Sequence, residues 1–222
     1  MIRLFSCWSA LIQAAKEKTV EACSRCGICC RKGGPALHHS EMELLEILPL
    51  KDLVCLRPGE PAFDPRFGMV RPLTAELIKI RGKGDSWECL YYEGGCGIYA
   101  YRPLECRALS CRRTDSLFSV METPALSRAH FIRKDSALGA CIAEREARFP
   151  VERCVSLLSG SAVTVPGELD AILRAELAFR SALAEAVAAA DEDLWVYLGR
   201  PLWLVLRPMS PALGRYGNVR DF

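Results

Sequence analysis

Cys23-Ser24-Arg25-Cys26-Gly27-Ile28-Cys29-Cys30 places four cysteines within eight residues, and four more follow at Cys89, Cys96, Cys106 and Cys111. An ordinary apolar core has no use for thiols at this density, whereas a metal site does. Thiolates are strong ligands for zinc and for iron–sulfur clusters, and the C-x2-C spacing lets two sulfurs converge on one metal. Two such groups, far apart in sequence, predict an irregular domain clamped across the chain by what the sulfurs hold.

Working outward, Arg31-Lys32-Gly33-Gly34-Pro35 reads as a basic turn. Ser40 with Glu43 has the form of a capping box opening a short helix through Leu44, Leu45 and Leu48, closed by Pro49. Residues 51–66, rich in proline and charge, read as loop. Phe67–Arg71, Glu76–Arg81 and Ser86–Tyr92 read as short strands, the last two joined by Gly82-Lys83-Gly84-Asp85 as a hairpin turn. Cys89 then falls in the third strand, and Gly94-Gly95 returns the chain so that Cys96 lies beside it. Arg102-Pro103 starts a helix with proline at its first position, placing Cys106 in the first turn, where the positive end of the helix eases thiolate formation.

Beyond residue 114 the pattern turns helical, over 135–149, 151–158 and 168–198, the last with Ile172, Phe179, Leu183, Val187 and Leu194 along one side. A proline-rich aromatic tail follows. The expected fold is mainly α with a small antiparallel β hairpin or meander. Its expected parts are an amphipathic N-terminal helix within 1–22, a cysteine-cluster domain over 23–115 and a helical C-terminal part over 116–222 packed on it.

Composition narrows the function classes. At 222 residues and 50% hydrophobic, the chain can bury a substantial core. A formal charge of +2 gives no global field that points to nucleic acid or anionic lipid. The longest aliphatic or aromatic run, Leu202–Leu206, is far short of the roughly twenty residues a membrane-spanning helix needs. Polar Gln13, Lys16, Glu17 and Lys18 arrive too early for a secretory leader. A cytosolic location is expected, and with it metal ligation rather than disulfides for the clustered set among the twelve cysteines. Cys7, Cys141 and Cys154 stand apart in helical sequence and read as small buried hydrophobes.

The first run matches C-x2-C-x2-C, the start of the bacterial ferredoxin pattern, but lacks that pattern's next cysteine and proline and carries Cys30 instead. Adjacent side chains diverge, so Cys29 and Cys30 are not expected to bind one metal ion together. One of them serves a second site, bridges a polynuclear centre or stays free as a reactive thiol. Arg25, Arg31, Lys32, Arg102, Arg107, Arg112 and Arg113 all lie within two residues of a cluster cysteine, where they can offset sulfur charge. His38 and His39 precede a helix start and read as surface polar groups sooner than ligands; His130 has no partner in sequence. No H-E-x-x-H, G-x-S-x-G, P-loop or G-x-G-x-x-G motif is present.

The C-x2-C-x2-C-C run at Cys23–Cys30, then Cys89, then Cys96-Gly97-Ile98-Tyr99, Arg102-Pro103 and Cys106-Arg107, resembles in order the pattern of the CxxCxxCC cysteine-cluster family, the YkgJ type, described as a zinc- or iron-chelating domain. The resemblance covers about residues 20–112 and implies metal or cluster binding by Cys23, Cys26, Cys29, Cys30, Cys89, Cys96 and Cys106. Tyr99, Arg102 and Arg107 also match, and we read them as a supporting shell that tunes the sulfurs. Cys111 stands where the family pattern continues to a hydrophobic residue and proline, and is an additional candidate ligand. The same family includes flagellin lysine-N-methylases, but residues 116–222 match no recognisable methyl-donor site.

The expected function is therefore a cytosolic metal-binding protein holding an iron–sulfur cluster, 4Fe–4S ahead of other forms, or Zn2+, through both cysteine groups. The alternatives are a cluster-dependent protein-modifying enzyme, such as a protein lysine N-methylase, and a zinc-stabilised module that recruits a protein partner through its C-terminal helices. Neither nucleic acid nor a membrane is an expected partner.

Overall fold

The computed structural model describes residues 25–110, 113–158 and 164–217. The expected N-terminal helix, Cys23 and Cys111 lie outside the described residues. The chain is mainly helical, with two small antiparallel two-stranded sheets.

Strand β1 (Leu53–Leu56) is buried along its whole length, and both of its faces are covered. Leu53 and Cys55 pack with Leu37, Ile78, Ile80, Leu126 and Val196. Val54 and Leu56 pack on the other side with Trp195 and Leu204. A strand covered on both faces reads as a continuous apolar run rather than an alternating one, so proline and charge on either side hid it within a stretch expected to be loop. After β1 come β2 (Pro61–Asp64), β3 (Met69–Pro72) and β4 (Leu77–Ile80).

The pairing differs from the sequence expectation. Strand β4 pairs with β1, Leu53 opposite Ile80, and β3 pairs with β2. Residues 86–92 are not a strand: a single bridge, Gly82 to Cys89, is what remains of the expected hairpin. The apolar alternation of Ile78 and Ile80 called for a partner that could bury them, and Leu53–Leu56 supplies more apolar surface than Ser86–Tyr92. The 82–85 turn does form, and it requires glycine at 82, where a Cβ would stand 1.9 Å from the Ser86 carbonyl oxygen.

The helices are α1 (Ile28–Lys32), α2 (Leu104–Ala108), α3 (Asp115–Met121), α4 (Ala137–Arg148), α5 (Val151–Leu158), α6 (Gly167–Ala186), α7 (Trp195–Leu198) and α8 (Leu202–Leu206). Residues 39–46 form a 3-10 helix whose box is His38 with Glu41, not Ser40 with Glu43. Helix α6 buries Leu169, Leu173, Glu176 and Arg180, an i, i+4, i+7, i+11 stripe offset from the one expected. It also stops early: Val187 is exposed, Ala188 turns at φ 51°, and α7 folds back onto β1.

The second core joins α5, α6, α8 and the C-terminal 3-10 segment through Phe149, Cys154, Leu158, Leu173, Val205 and Tyr216. Cys154 is fully buried there, as expected of a small hydrophobe, whereas Cys141 is only half-buried. Beside this core lies a sealed ionic network. Glu176 accepts from Arg145 at 2.8 Å, from Arg180 at 3.3 Å and from the Leu202 N–H at 3.3 Å. Arg57 bonds Glu60 at 2.7 Å and the Arg200 carbonyl at 3.1 Å. Gly199 sits against Arg57 at φ 70°, where a Cβ would stand 2.6 Å from the guanidinium Nε. These contacts, with Arg128 on Glu76 and the Tyr197 carbonyl, tie the cysteine-bearing half to the helical half.

Candidate metal centre

The two cysteine groups meet at the backbone. The Cys89 N–H donates to the Cys30 carbonyl at 2.8 Å, so the end of the first run is fixed directly to the start of the second. Tyr92 bridges to Cys96 across the 93–95 turn, which returns Cys96 beside Cys89 as the glycines predicted. Gly27 makes the first run possible. It adopts φ 75° ahead of α1, and a Cβ there would fall 2.2 Å from the Tyr92 ring. Arg31, one turn on, donates to the Tyr92 hydroxyl at 2.8 Å, so that tyrosine locks both arms together.

Among the described residues, five thiols share this region: Cys29, Cys30, Cys89, Cys96 and Cys106. Cys29 and Cys30 lie 3.9 Å apart, sulfur to sulfur. Burial, then the neighbouring sulfurs of Cys29, Cys89 and Cys96, push the Cys30 thiol up to about 12. Burial raises Cys89 as well, with Cys96 and Cys29 adding to it against an N–H from Tyr91. Cys106 is raised by burial first and then by Cys89, Cys29 and Cys96. That last direction corrects the expectation of an easily formed thiolate at a helix start. Helix α2 is only five residues long, Pro103 caps it rather than occupying its first turn, and the Glu41 carboxylate already accepts the Leu104 N–H.

The matched shell residues divide. Tyr99 is flanked by two guanidinium groups, Arg25 at 4.0 Å and Arg102 at 3.8 Å from the ring centroid. Arg102 also donates to the Tyr99 carbonyl. Arg107 reaches Glu41 at 3.8 Å and is largely exposed, so its partner is a carboxylate that orders α2 rather than a thiol. Cys26 is exposed at the rim, with its carbonyl held by Arg31 at 3.4 Å.

His38 corrects the sequence reading most clearly, because it is buried rather than a surface group. Its Nδ1 meets the Thr123 hydroxyl at 2.9 Å and its Nε2 stands 3.6 Å from Glu105, a charge pair slightly too long for a hydrogen bond. Glu105 in turn accepts the Ala36 N–H at 2.7 Å. His130 also has partners, stacking on His39 at 4.6 Å and bonding Ser127. Sequence reasoning missed Lys79, whose ammonium is pulled down by burial and held up by Glu105, Cys89 and Cys106. The signal was available: on a strand with Ile78 and Ile80 buried, the residue between them must face the other way.

In kind, this donor set suits a thiophilic metal, since several soft ligands lie together in a partly buried region with cations close by. Among the described residues, no three histidine, cysteine, aspartate or glutamate side chains are grouped as a metal site. No family model matches the chain, and neither a curated protein nor a solved structure does.

Proposed function

We propose that this protein binds a thiophilic metal centre, an iron–sulfur cluster or zinc, through cysteines drawn from both sequence groups. The observation that carries the reading is the meeting of five described thiols from two distant segments, joined by the Cys89-to-Cys30 backbone bond, three of them raised by burial first and then by the fields of the others. Neutral thiols crowded in this way gain little from one another. Deprotonated together they repel, and a bound cation reverses that balance while displacing the protons. Cys30 and Cys89 would be central ligands, with Cys29, Cys96 and Cys106 around them. Lys79 supplies positive charge toward Cys89 and Cys106. When bound, such a centre supplies a structural clamp, or redox capacity if it contains iron.

The test is anaerobic purification followed by metal and acid-labile sulfide analysis with a visible spectrum. Iron with sulfide and a charge-transfer band identifies a cluster; colourless protein with stoichiometric zinc and no sulfide identifies a zinc site. Cys30→Ser is expected to lose most of the metal, and Cys55→Ser, at a buried strand position away from the group, to keep it. Equal retention in the two variants, or no metal in the parent protein, ends this reading.

A further inference from the structure

Away from the thiols, the hairpin of β2 and β3 carries four of the chain's exposed large hydrophobic side chains within eight residues. Phe63 is 64% exposed, Phe67 58%, Met69 56% and Val70 60%. The register places them on both sides of the ribbon. Phe63 is paired with Val70 on one face, between Pro61 and Pro72, and Met69 is paired with Asp64 on the other. Phe67 occupies the turn between the strands.

The turn has also disposed of its own polar groups. Pro65 has no N–H, the Arg66 N–H donates to the Asp64 carboxylate at 3.0 Å, and those of Phe67 and Gly68 both donate to the Asp64 carbonyl, at 3.2 and 2.9 Å. The Asp64 charge is met by the Arg66 guanidinium through bonds of 3.0 and 2.8 Å. The backbone donors of the turn are thus satisfied, which removes part of the cost of taking it out of water, while the paired charges of Asp64 and Arg66 have to stay in a polar layer. Arg71 lies 4.2 Å from the centroid of the Phe67 ring and forms no ion pair among the described residues. Its charge lies over the ring of the turn, and the Arg66 guanidinium is 5.8 Å from the same ring.

We propose that this hairpin is a membrane-surface anchor that dips Phe63, Phe67, Met69 and Val70 into the headgroup boundary of an anionic bilayer, with Arg71 at phosphate level. A folded protein partner covers one side of a ribbon. Apolar side chains on both faces and at the turn call for a medium that surrounds the tip, as lipid does. A guanidinium at the rim of such a tip matches anionic headgroups, and its stem keeps the charge in the polar layer. The absence of a spanning helix among the described residues does not bear on such an anchor, because it touches one leaflet only.

The experiment is co-sedimentation of the full chain with phosphatidylcholine vesicles, with and without phosphatidylglycerol. The parent protein is expected to partition onto the phosphatidylglycerol vesicles. Phe67→Ser with Val70→Ser should weaken binding at least about tenfold, the effect of losing one or two buried apolar side chains. Arg71→Glu should remove the preference for the anionic vesicles. Phe67→Trp keeps the tip apolar, and its added fluorescence should shift to the blue on those vesicles alone. A parent protein that ignores both vesicle types, a tryptophan that does not shift, or a hairpin-dependent dimer in sedimentation velocity with no vesicle binding would each overturn the proposal.

Discussion

The two halves of this molecule are held together by partly different means. The helical half closes an apolar core of Phe149, Cys154, Leu173, Val205 and Tyr216, and sets beside it the Arg145–Glu176–Arg180 network, whose charges are sealed from water. The thiol-bearing half builds a core of comparable size on the β1–β4 sheet, surrounds it with short helices, 3-10 turns and isolated bridges, and gathers five of its described cysteines beside it. Both halves find cohesion in packing and paired charge, and in the helical half long helices add regular backbone bonding. The other has little repetitive backbone bonding between residues 81 and 110, where a metal would add most.

If the proposed metal is bound, its removal is the sharpest way to break this comparison. Thiolate sites in small zinc domains contribute about 10–16 kcal/mol of binding free energy, much of it expressed as folding. Stripping the metal with a chelator is expected to accelerate amide exchange through residues 28–32 and 86–108, while α5, α6 and α8 stay protected. Hydrogen exchange read by mass spectrometry checks this. Equal acceleration in both halves would mean that they fold as one unit and that the contrast is only one of appearance.

The second test strikes the other half. Glu176→Ala leaves Arg145 and Arg180, both at or near zero exposure, without their shared carboxylate. Removing one partner from a buried pair costs about 3–5 kcal/mol. The variant is expected to lose that much in chemical denaturation with its metal content unchanged. A loss under about 1 kcal/mol would show that water reaches the network and that the charges are not sealed.

Much of this contrast was legible in sequence, and the parts that were not have a common cause. The helices expected over 135–149 and 151–158 form at 137–148 and 151–158, and in the second the buried Val151, Cys154 and Leu158 repeat at helical spacing. The end of α6 was not, since Ala-rich sequence continues past Ala186 and only the return of α7 onto β1 stops it. Strand β1 was hidden by being buried on both faces, and the choice by β4 of β1 over the nearer 86–92 segment depended on apolar surface more than twenty residues away. At the candidate site, the cysteines stood out by spacing, and Tyr99 with Arg102 only through the resemblance to the cysteine-cluster pattern. Glu41, Glu105 and His38 did not, because charged groups are rarely expected inside and their burial depends on partners distant in sequence.

His38 supplies the smallest effect and ties the comparison to pH. Glu105 raises the His38 pKa above its ordinary 6.5, with burial opposing and Glu41 assisting. A group whose folded pKa is raised adds stability in full below the unfolded value, and that stability is lost as pH rises through the folded one. The thiol-bearing half should therefore weaken as pH climbs from about 6 through the raised value. Because the Glu105 contact is a charge pair at 3.6 Å, the contribution is at or below about 1.5 kcal/mol. His38→Gln is expected to flatten this part of the stability profile, seen as the difference between parent and variant in urea midpoints from pH 5.5 to 8 (about the span over which histidine titrates). A difference that is constant across that range would show that His38 stays neutral when folded. Its burial would then reflect its Thr123 hydrogen bond alone, and the charge bridge to the helix carrying Cys106 would not exist.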